Sequence, residues 1–147
     1  MENTNEMTIE FDSRSCNEGF ARVAVAAFCT QMNPTLEEVA DIKTAVSEAI
    51  TNAIIHGYEN QVHKIRIECK IVGHDLYVTV IDHGRGIPDV QKAMEPLYTT
   101  KPELERSGMG FAFMEAFMDE IAVASQPGEG TEVHMKKRVG CGSSPFA

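Results

Sequence analysis

The sequence predicts an α+β fold, a two-layer sandwich in which helices cover one face of a single, mostly antiparallel mixed sheet. The prediction depends on the element order β-α-α-β-β-loop-α-β-β and on two kinds of apolar periodicity. Apolar residues recur at every second position in the predicted strands and at every third or fourth position in the predicted helices. Such helices each bury one apolar stripe, and one face of the sheet offers the surface to bury it.

The first two elements are a strand over residues 7–12 and a helix over residues 16–32. The strand alternates apolar and polar side chains, and the helix carries its apolar residues at helical spacing. Ser15 and Glu18 have the spacing of a capping box, in which each side chain binds the backbone N–H of the other residue. We therefore expect a side-chain cap at the start of this helix.

The second helix is predicted to begin after Thr35, which has a capping-box partner in Glu38, and to stop at Gly57. Its core-facing stripe consists of Val39, Ile42, Val46, Ile50 and Ala53. Glu48 and Asn52 lie on the opposite side, one turn apart, among threonine, isoleucine and alanine rather than lysine and arginine. Such a face is either solvated or covered by a polar partner.

A β-hairpin is predicted next, with alternating apolar residues over 65–71 and 76–80. Its second strand ends at Asp82 and continues into an Asp-x-Gly-x-Gly motif over residues 82–86. A buried carboxylate can accept a hydrogen bond from an exocyclic amine such as that of adenine, and glycines let a flat ligand approach the backbone. An ordinary glycine-rich turn explains the same motif.

A long segment over residues 87–107 follows, with a short helix predicted near 89–95. A loop of this length in a compact domain is usually functional. Gly108 and Gly110 then open a helix, where free backbone N–H groups and the helix dipole favour phosphate. A plain loop-to-helix junction explains the two glycines, but it does not explain the hydroxyls and cations just before them.

Strands near 120–125 and 131–137 complete a single predicted domain over residues 1–139, and the small, polar tail over 140–147 is predicted to be disordered. The net charge of −9 argues against a nucleic-acid partner. No apolar run approaches the length of a membrane span. Four scattered cysteines and a polar, acidic N-terminus favour a cytoplasmic protein with reduced thiols.

The order of these motifs resembles that of the Bergerat-fold (GHKL) ATPases and kinases. Glu-x-x-x-Asn on a helix, Asp-x-Gly-x-Gly after a strand, Gly-x-Gly at a helix start and then Gly-Thr follow one another within residues 7–138. Residues 20–23, 47–58 and 97–111 are similar to those of one branch, the anti-sigma F factors of spore-forming bacteria. Members of that branch are serine kinases that hold sigma F inactive and phosphorylate an anti-anti-sigma factor on a serine.

The resemblance implies a role for each matched residue. Asn52 would ligate Mg²⁺ at the phosphates of ATP or ADP, and Asp82 would bind the adenine amine. Glu48 would act as general base toward the substrate serine, or orient it. The remaining nucleotide contacts would come from Gly84, Gly86 and Thr131 around the adenine, and from Thr99, Lys101, Arg106, Ser107, Gly108, Met109 and Gly110 at the lid and phosphates. Arg22 and Thr51 would contact the protein partners.

The resemblance also implies a homodimer that shares one sigma factor. His83 and Arg85 occupy the free positions of the Asp-x-Gly-x-Gly motif, and Arg85 would add a cation to the rim of the pocket. Two other functions fit the same residues: a switch kinase and anti-sigma factor of a stress-response sigma factor, and a catalytically weak, nucleotide-dependent sigma-binding module. A histidine kinase is not favoured, because 147 residues leave no room for a phosphoacceptor-helix domain.

Overall fold

The computed structural model describes residues 4–90, 94 and 110–141. Its strands and helices are β1 (Thr4–Asp12), α1 (Cys16–Cys29), α2 (Leu36–Asn52), β2 (Lys64–Val72), β3 (Asp75–Asp82), α3 (Gly110–Phe117), β4 (Glu120–Gln126) and β5 (Gly130–Arg138). A 3₁₀ turn, Thr30–Met32, follows α1, and a π-helical turn, Ala53–Gly57, follows α2. This order confirms the predicted α+β class. Among the residues that the structure describes, none of the helices combines the length and the apolar character of a membrane span.

Five strands form one sheet in the order β1-β2-β3-β5-β4, and every neighbouring pair is antiparallel. The parallel pair that a mixed sheet would contain is therefore absent from the strands described. The strands β3 and β4 run in the same direction, but β5 lies between them and pairs antiparallel with both. This order brings the end of β3 beside the start of β5, where Asp82 pairs with Thr131.

One face of the sheet forms the core together with the helices. Alternate residues of β2 and β3 are buried, whereas the residues between them are exposed or half-buried. The buried set includes the predicted residues Ile65, Ile67, Cys69, Ile71, Leu76, Val78 and Val80. The helix α2 contacts β3 as well as α1 and α3, and it adds Ile42, Val46 and Ile50 to the same core. Its predicted stripe is therefore confirmed, although Val39 is only half-buried.

The start of α1 differs from the prediction. Ser15 has helical backbone angles (φ −59°, ψ −28°), and its side chain makes no capping hydrogen bond. The carboxylate of Glu18 lies 3.4 Å from Arg22 Nη1 instead of reaching back to the backbone of Ser15. The predicted capping box at Ser15 is wrong, because a cap residue needs extended rather than helical backbone angles. Asn17 Nδ2 anchors this end of the helix by donating to the Asp12 carbonyl at 2.9 Å.

The start of α2 is confirmed, and its end differs. The Glu38 N–H donates to Thr35 Oγ1 at 3.0 Å, and the Thr35 N–H donates to Glu38 Oε1 at 2.8 Å, which are the two bonds of a capping box. The regular α-helix ends at Asn52, and the predicted last turn widens into the π-helical turn Ala53–Gly57. Such turns are rare and occur frequently at functional sites.

Candidate functional site

Asp82 ends β3 and is buried, with 5% of its surface exposed. The Gly84 N–H donates to Asp82 Oδ1 at 2.9 Å. Burial raises the pKa of Asp82, and hydrogen bonds from the backbone of Gly84 and Thr131 oppose the shift. The site therefore holds a carboxylate that has lost most of its water and can accept a hydrogen bond from a ligand N–H.

Three glycines leave the space that Asp82 occupies. A Cβ atom on Gly57 would lie 2.9 Å from Asp82 Oδ1, and one on Gly84 would lie 2.1 Å from the Gly57 carbonyl oxygen. Gly130 has φ +109°, and its Cβ atom would lie 2.1 Å from the Asp82 carbonyl oxygen. A side chain at Gly84 or Gly130 would push backbone segments apart, and one at Gly57 would displace the Asp82 carboxylate. The sequence predicts Gly57 only as a helix stop, because its contact with Asp82 joins distant parts of the chain.

Thr131 and Ser125 extend the site across β5 and β4. Thr131 lies opposite Asp82 in the strand register and is 4% exposed. Ser125 lies opposite Thr131 on the other side, and their hydroxyl oxygens are 2.8 Å apart. The Ile87 N–H donates to Ser125 Oγ at 2.7 Å. No sequence motif points to Ser125, because its role depends on the pairing of β4 with β5.

The glycine-rich turn after β3 packs on the hairpin that joins β4 to β5. Gly86 has φ +77°, and a Cβ atom there would lie 2.2 Å from a backbone carbonyl oxygen of the hairpin. The Gly128 N–H donates to the Arg85 carbonyl at 2.7 Å. The side chain of Arg85 is exposed, and its Nε donates to the His56 carbonyl at 2.8 Å. Arg85 therefore connects this turn to the π-helical turn, in addition to placing a cation at the rim.

Tyr58 connects the glycine-rich turn after β3 to the start of β2. Its hydroxyl accepts a hydrogen bond from the His83 N–H at 2.7 Å and donates to the Lys64 carbonyl at 2.5 Å. Burial raises the pKa of Tyr58, so the hydroxyl keeps its proton at neutral pH. Sequence patterns do not identify this residue, since both of its partners are brought to it by the fold.

Glu48 and Asn52 lie on α2 at the predicted spacing, within regular α-helix, and both are half-buried. They therefore share one face, one turn apart. Asn52 is the last residue of α2, and the π-helical turn that follows leads directly to Gly57 and its contact with Asp82. The structure thus connects the Glu48–Asn52 face to the buried carboxylate through little more than one turn of helix.

Arg22 on α1 and Thr51 on α2 lie near Ser47, in the second half of α2. Arg22 Nη1 lies 3.4 Å from the hydroxyl of Ser47, and Thr51 follows Ser47 by one helical turn. Among the described residues, no hydrogen-bond partner reaches the buried Arg22 Nε. Phe20 and Val23 on α1 are 60% and 55% exposed. Arg22 therefore lies where α1 meets α2, and α1 also exposes two large apolar side chains.

Several predicted residues lie outside the described part of the chain. They are Thr99, Lys101, Arg106, Ser107, Gly108 and Met109, together with residues 142–147 of the predicted tail. The short helix predicted near 89–95 is described only in part, with the Met94 N–H donating to the Val90 carbonyl at 3.1 Å. Gly110 begins α3, so the helix starts within the Gly-x-Gly motif as predicted.

The described residues include a cleft beside Asp82 that could take a flat ring, and an amide side chain that could ligate a metal. A cleft of about 510 Å³ borders Asp82, Ser125 and Thr131. Within residues 4–90, 94 and 110–141, no group of three His, Cys, Asp or Glu side chains is placed to hold a metal ion. A single amide oxygen, that of Asn52, suits Mg²⁺ when the ion takes its other ligands from nucleotide phosphates and water.

Comparison with known proteins finds one family along almost the whole chain. The histidine kinase-like ATPase domain matches residues 12–137. An anti-sigma F factor of Thermoanaerobacter sp. (strain X514) is 58% identical, covering 95% of this chain and 98% of its own. Those of Clostridium kluyveri and Oceanobacillus iheyensis are 59% and 56% identical, covering 90% and 92% of this chain and 94% and 93% of their own.

Two solved structures share the fold at low sequence identity. The RsbU and RsbW domains of Rv1364c from Mycobacterium tuberculosis superpose with a TM-score of 0.67 at 22% identity, covering 92% of this chain and 32% of that one. The histidine kinase domain of the blue-light activated histidine kinase of Erythrobacter litoralis gives a TM-score of 0.53 at 19% identity, covering 83% and 61%. These two likenesses concern the fold alone.

Proposed function

This chain belongs to the anti-sigma F factors, within the histidine kinase-like ATPase family, and from that premise we propose that it binds and inhibits sigma F and phosphorylates a serine of an anti-anti-sigma factor with Mg-ATP. The observation that carries the proposal is the short connection from the Glu48–Asn52 face to the buried Asp82. It joins a candidate base and metal ligand to a candidate adenine site through the π-helical turn and Gly57.

The adenine end of the site consists of Asp82 and its glycine surroundings. Asp82 accepts a hydrogen bond from the 6-amino group of the adenine. Side chains at Gly57, Gly84 or Gly130 would collide with Asp82 or the backbone around it, so glycine at these positions allows the carboxylate its place. A carboxylate that already accepts the Gly84 N–H needs little reorganisation to receive the ligand. The family is an ATP-binding one, and this geometry supports Asp82 as the residue that selects the base.

The catalytic end consists of Glu48 and Asn52. Phosphoryl transfer requires mainly positioning and the neutralisation of charge. Asn52 would hold Mg²⁺, and the bound ion would neutralise part of the phosphate charge. Glu48 accepts the proton of the substrate serine while the serine oxygen bonds to the γ-phosphorus and the bond from that phosphorus to ADP breaks. Their i, i+4 spacing on one rigid helix keeps the two roles one turn apart.

Protein partners dock beside the catalytic end. The exposed Phe20 and Val23, the half-buried Arg22 and the neighbouring Thr51 provide apolar contacts, a cation and a hydroxyl. Arginine and aromatic side chains are enriched in protein interfaces, which fits Arg22 and Phe20. A homodimer that shares one sigma factor is part of the proposal. The presence of both Glu48 and Asn52 favours an active kinase over a module that only binds sigma factor.

The direct test mixes the purified chain with Mg-ATP and the anti-anti-sigma protein of the same organism, and follows the substrate by intact mass. The expected product carries one phosphoryl group on a serine, and sigma F binds the chain in a separate pull-down. ATP binding and sigma F binding without any transfer would leave only a sigma-binding module. Transfer without sigma F binding would instead contradict the anti-sigma role.

A further inference from the structure

The hydroxyl of Ser125 lies where three polar contacts meet. Ser125 Oγ accepts from the Ile87 N–H at 2.7 Å, lies 3.1 Å from the Gly130 carbonyl oxygen and lies 2.8 Å from Thr131 Oγ1. The side chain is half-buried on the face of β4 that it shares with Thr131 on β5. The roles proposed for Glu48, Asn52 and Asp82 do not involve this hydroxyl.

The three contacts determine where the protons lie. A serine hydroxyl has one proton and two lone pairs, and the Ile87 N–H takes one lone pair. The Gly130 carbonyl can only accept, so it takes the proton of Ser125. The remaining lone pair of Ser125 is then free for Thr131, whose own hydroxyl proton must point to it. This assignment satisfies all three contacts at once.

This proton arrangement makes the Thr131 hydroxyl a hydrogen-bond acceptor toward the pocket. With its proton turned toward Ser125, Thr131 Oγ1 presents only lone pairs, and the neighbouring Asp82 carboxylate also only accepts. Both residues are buried and lie opposite each other in the strand register. This edge of the pocket therefore accepts hydrogen bonds and donates none from these two side chains.

We propose that Ser125 is a specificity-determining residue of the nucleotide site, because it holds Thr131 as an acceptor and so selects a 6-amino purine over a 6-oxo purine. An adenine amine donates to such an edge. A 6-oxo group brings another acceptor to it, and buried acceptors without a donor are costly. Ser125 acts through Thr131 and is a positioning residue. The inference rests on the proposed adenine site at Asp82.

The test compares the dissociation constants of ATP and inosine triphosphate by calorimetry. In Ser125→Ala the Thr131 hydroxyl can rotate and donate to the 6-oxo group, so the preference for ATP should fall about five-fold, the equivalent of one neutral hydrogen bond. Ser125→Thr keeps a hydroxyl and should keep the preference. Thr79→Ala, which removes a hydroxyl 3.2 Å from His134 Nδ1 on the opposite face, should leave it unchanged.

Equal weakening of both nucleotides in Ser125→Ala would overturn the proposal, since it would show that Ser125 only supports the turn at Ile87. Thr131→Val provides a second route that leaves Ser125 in place. Thr131→Val alone should reduce the preference for ATP over inosine triphosphate. The double variant with Ser125→Ala should show the same reduced preference. A further loss in the double variant would mean that Ser125 acts through another contact, against the proposal.

The wild-type protein separates this inference from the function it rests on. A wild type that binds neither nucleotide, or binds both equally, would contradict the adenine site at Asp82 itself. A wild type that prefers ATP, with the same preference in Ser125→Ala, would contradict the role of Ser125 and leave the adenine site standing.

Discussion

Replacing Gly84 with alanine tests the closest backbone approach in the site. The added Cβ atom would lie 2.1 Å from the Gly57 carbonyl oxygen, so the two segments must separate by about 1.3 Å to reach the 3.4 Å at which ordinary contact begins. That movement breaks the 3.0 Å hydrogen bond from the Arg85 N–H to the Gly57 carbonyl. Overpacking costs about 1–3 kcal/mol, and the lost hydrogen bond adds about 1 kcal/mol.

The expected loss of stability in Gly84→Ala is therefore about 2–4 kcal/mol, which corresponds to a fall in melting temperature of roughly 6–12 °C for a chain of this size. The shift also moves the Gly84 N–H away from Asp82, so ATP should bind at least about ten-fold more weakly. Thermal unfolding by circular dichroism and calorimetric titration with ATP measure the two effects.

A matched control for this variant is Gly19→Ala. Gly19 lies within α1, and the nearest atom to an added Cβ is 3.9 Å away. Alanine is favoured over glycine inside a helix by up to about 1 kcal/mol, so this variant should melt slightly higher and bind ATP normally. Unchanged melting and unchanged ATP affinity in Gly84→Ala would refute the close packing of Gly84 on Gly57.

Three further outcomes are expected. Asn52→Ala should weaken ATP binding in the presence of Mg²⁺ and not in its absence, and equal affinities in calorimetry with the metal present would remove Asn52 from the metal site. Asp82→Asn should abolish ATP binding yet melt higher than wild type at pH 7. Burial raises the pKa of Asp82, so protonation of this carboxyl stabilises the fold below the unfolded pKa near 3.8, and that stabilisation is lost as pH rises through the folded pKa. The increase in melting temperature of Asp82→Asn over wild type should therefore shrink toward pH 4. An increase that stays constant with pH would contradict this. Thr35→Ala should lower the free energy of unfolding in urea by about 1 kcal/mol, whereas Ser15→Ala should change it little. Equal losses of unfolding free energy in the two variants would contradict the capping assignments.

Sequence patterns predict the elements whose signals are local. The alternation of β2 and β3 and the cap at Thr35 depend on neighbouring residues alone, and the structure confirms them. Ser15 has the same capping pattern without forming a cap, because its backbone angles are helical. Local pattern therefore identifies an element more reliably than the geometry at its ends.

The candidate site divides in the same way. Asp82 and Thr131 are predicted from motif order, and the strand register brings them together. Ser125 and Tyr58 are not predicted, because their roles arise from contacts between segments distant in the sequence. Gly57 is predicted as a helix stop, and the fold adds its packing against Asp82. Strand order is the non-local information that motif spacing does not contain.

In the proposed mechanism Glu48 accepts the proton of the substrate serine, on the same helix that carries Asn52. Single-turnover phosphoryl transfer to the anti-anti-sigma factor should be compared for wild type, Glu48→Gln and Glu37→Gln. Glu37 is exposed in the first turn of α2, so Glu37→Gln removes the same charge far from the site. The expected result is a loss of about 10²–10⁴-fold in the rate for Glu48→Gln alone, with ATP affinity unchanged. Equal transfer rates in all three proteins would contradict the assignment of Glu48 as the base.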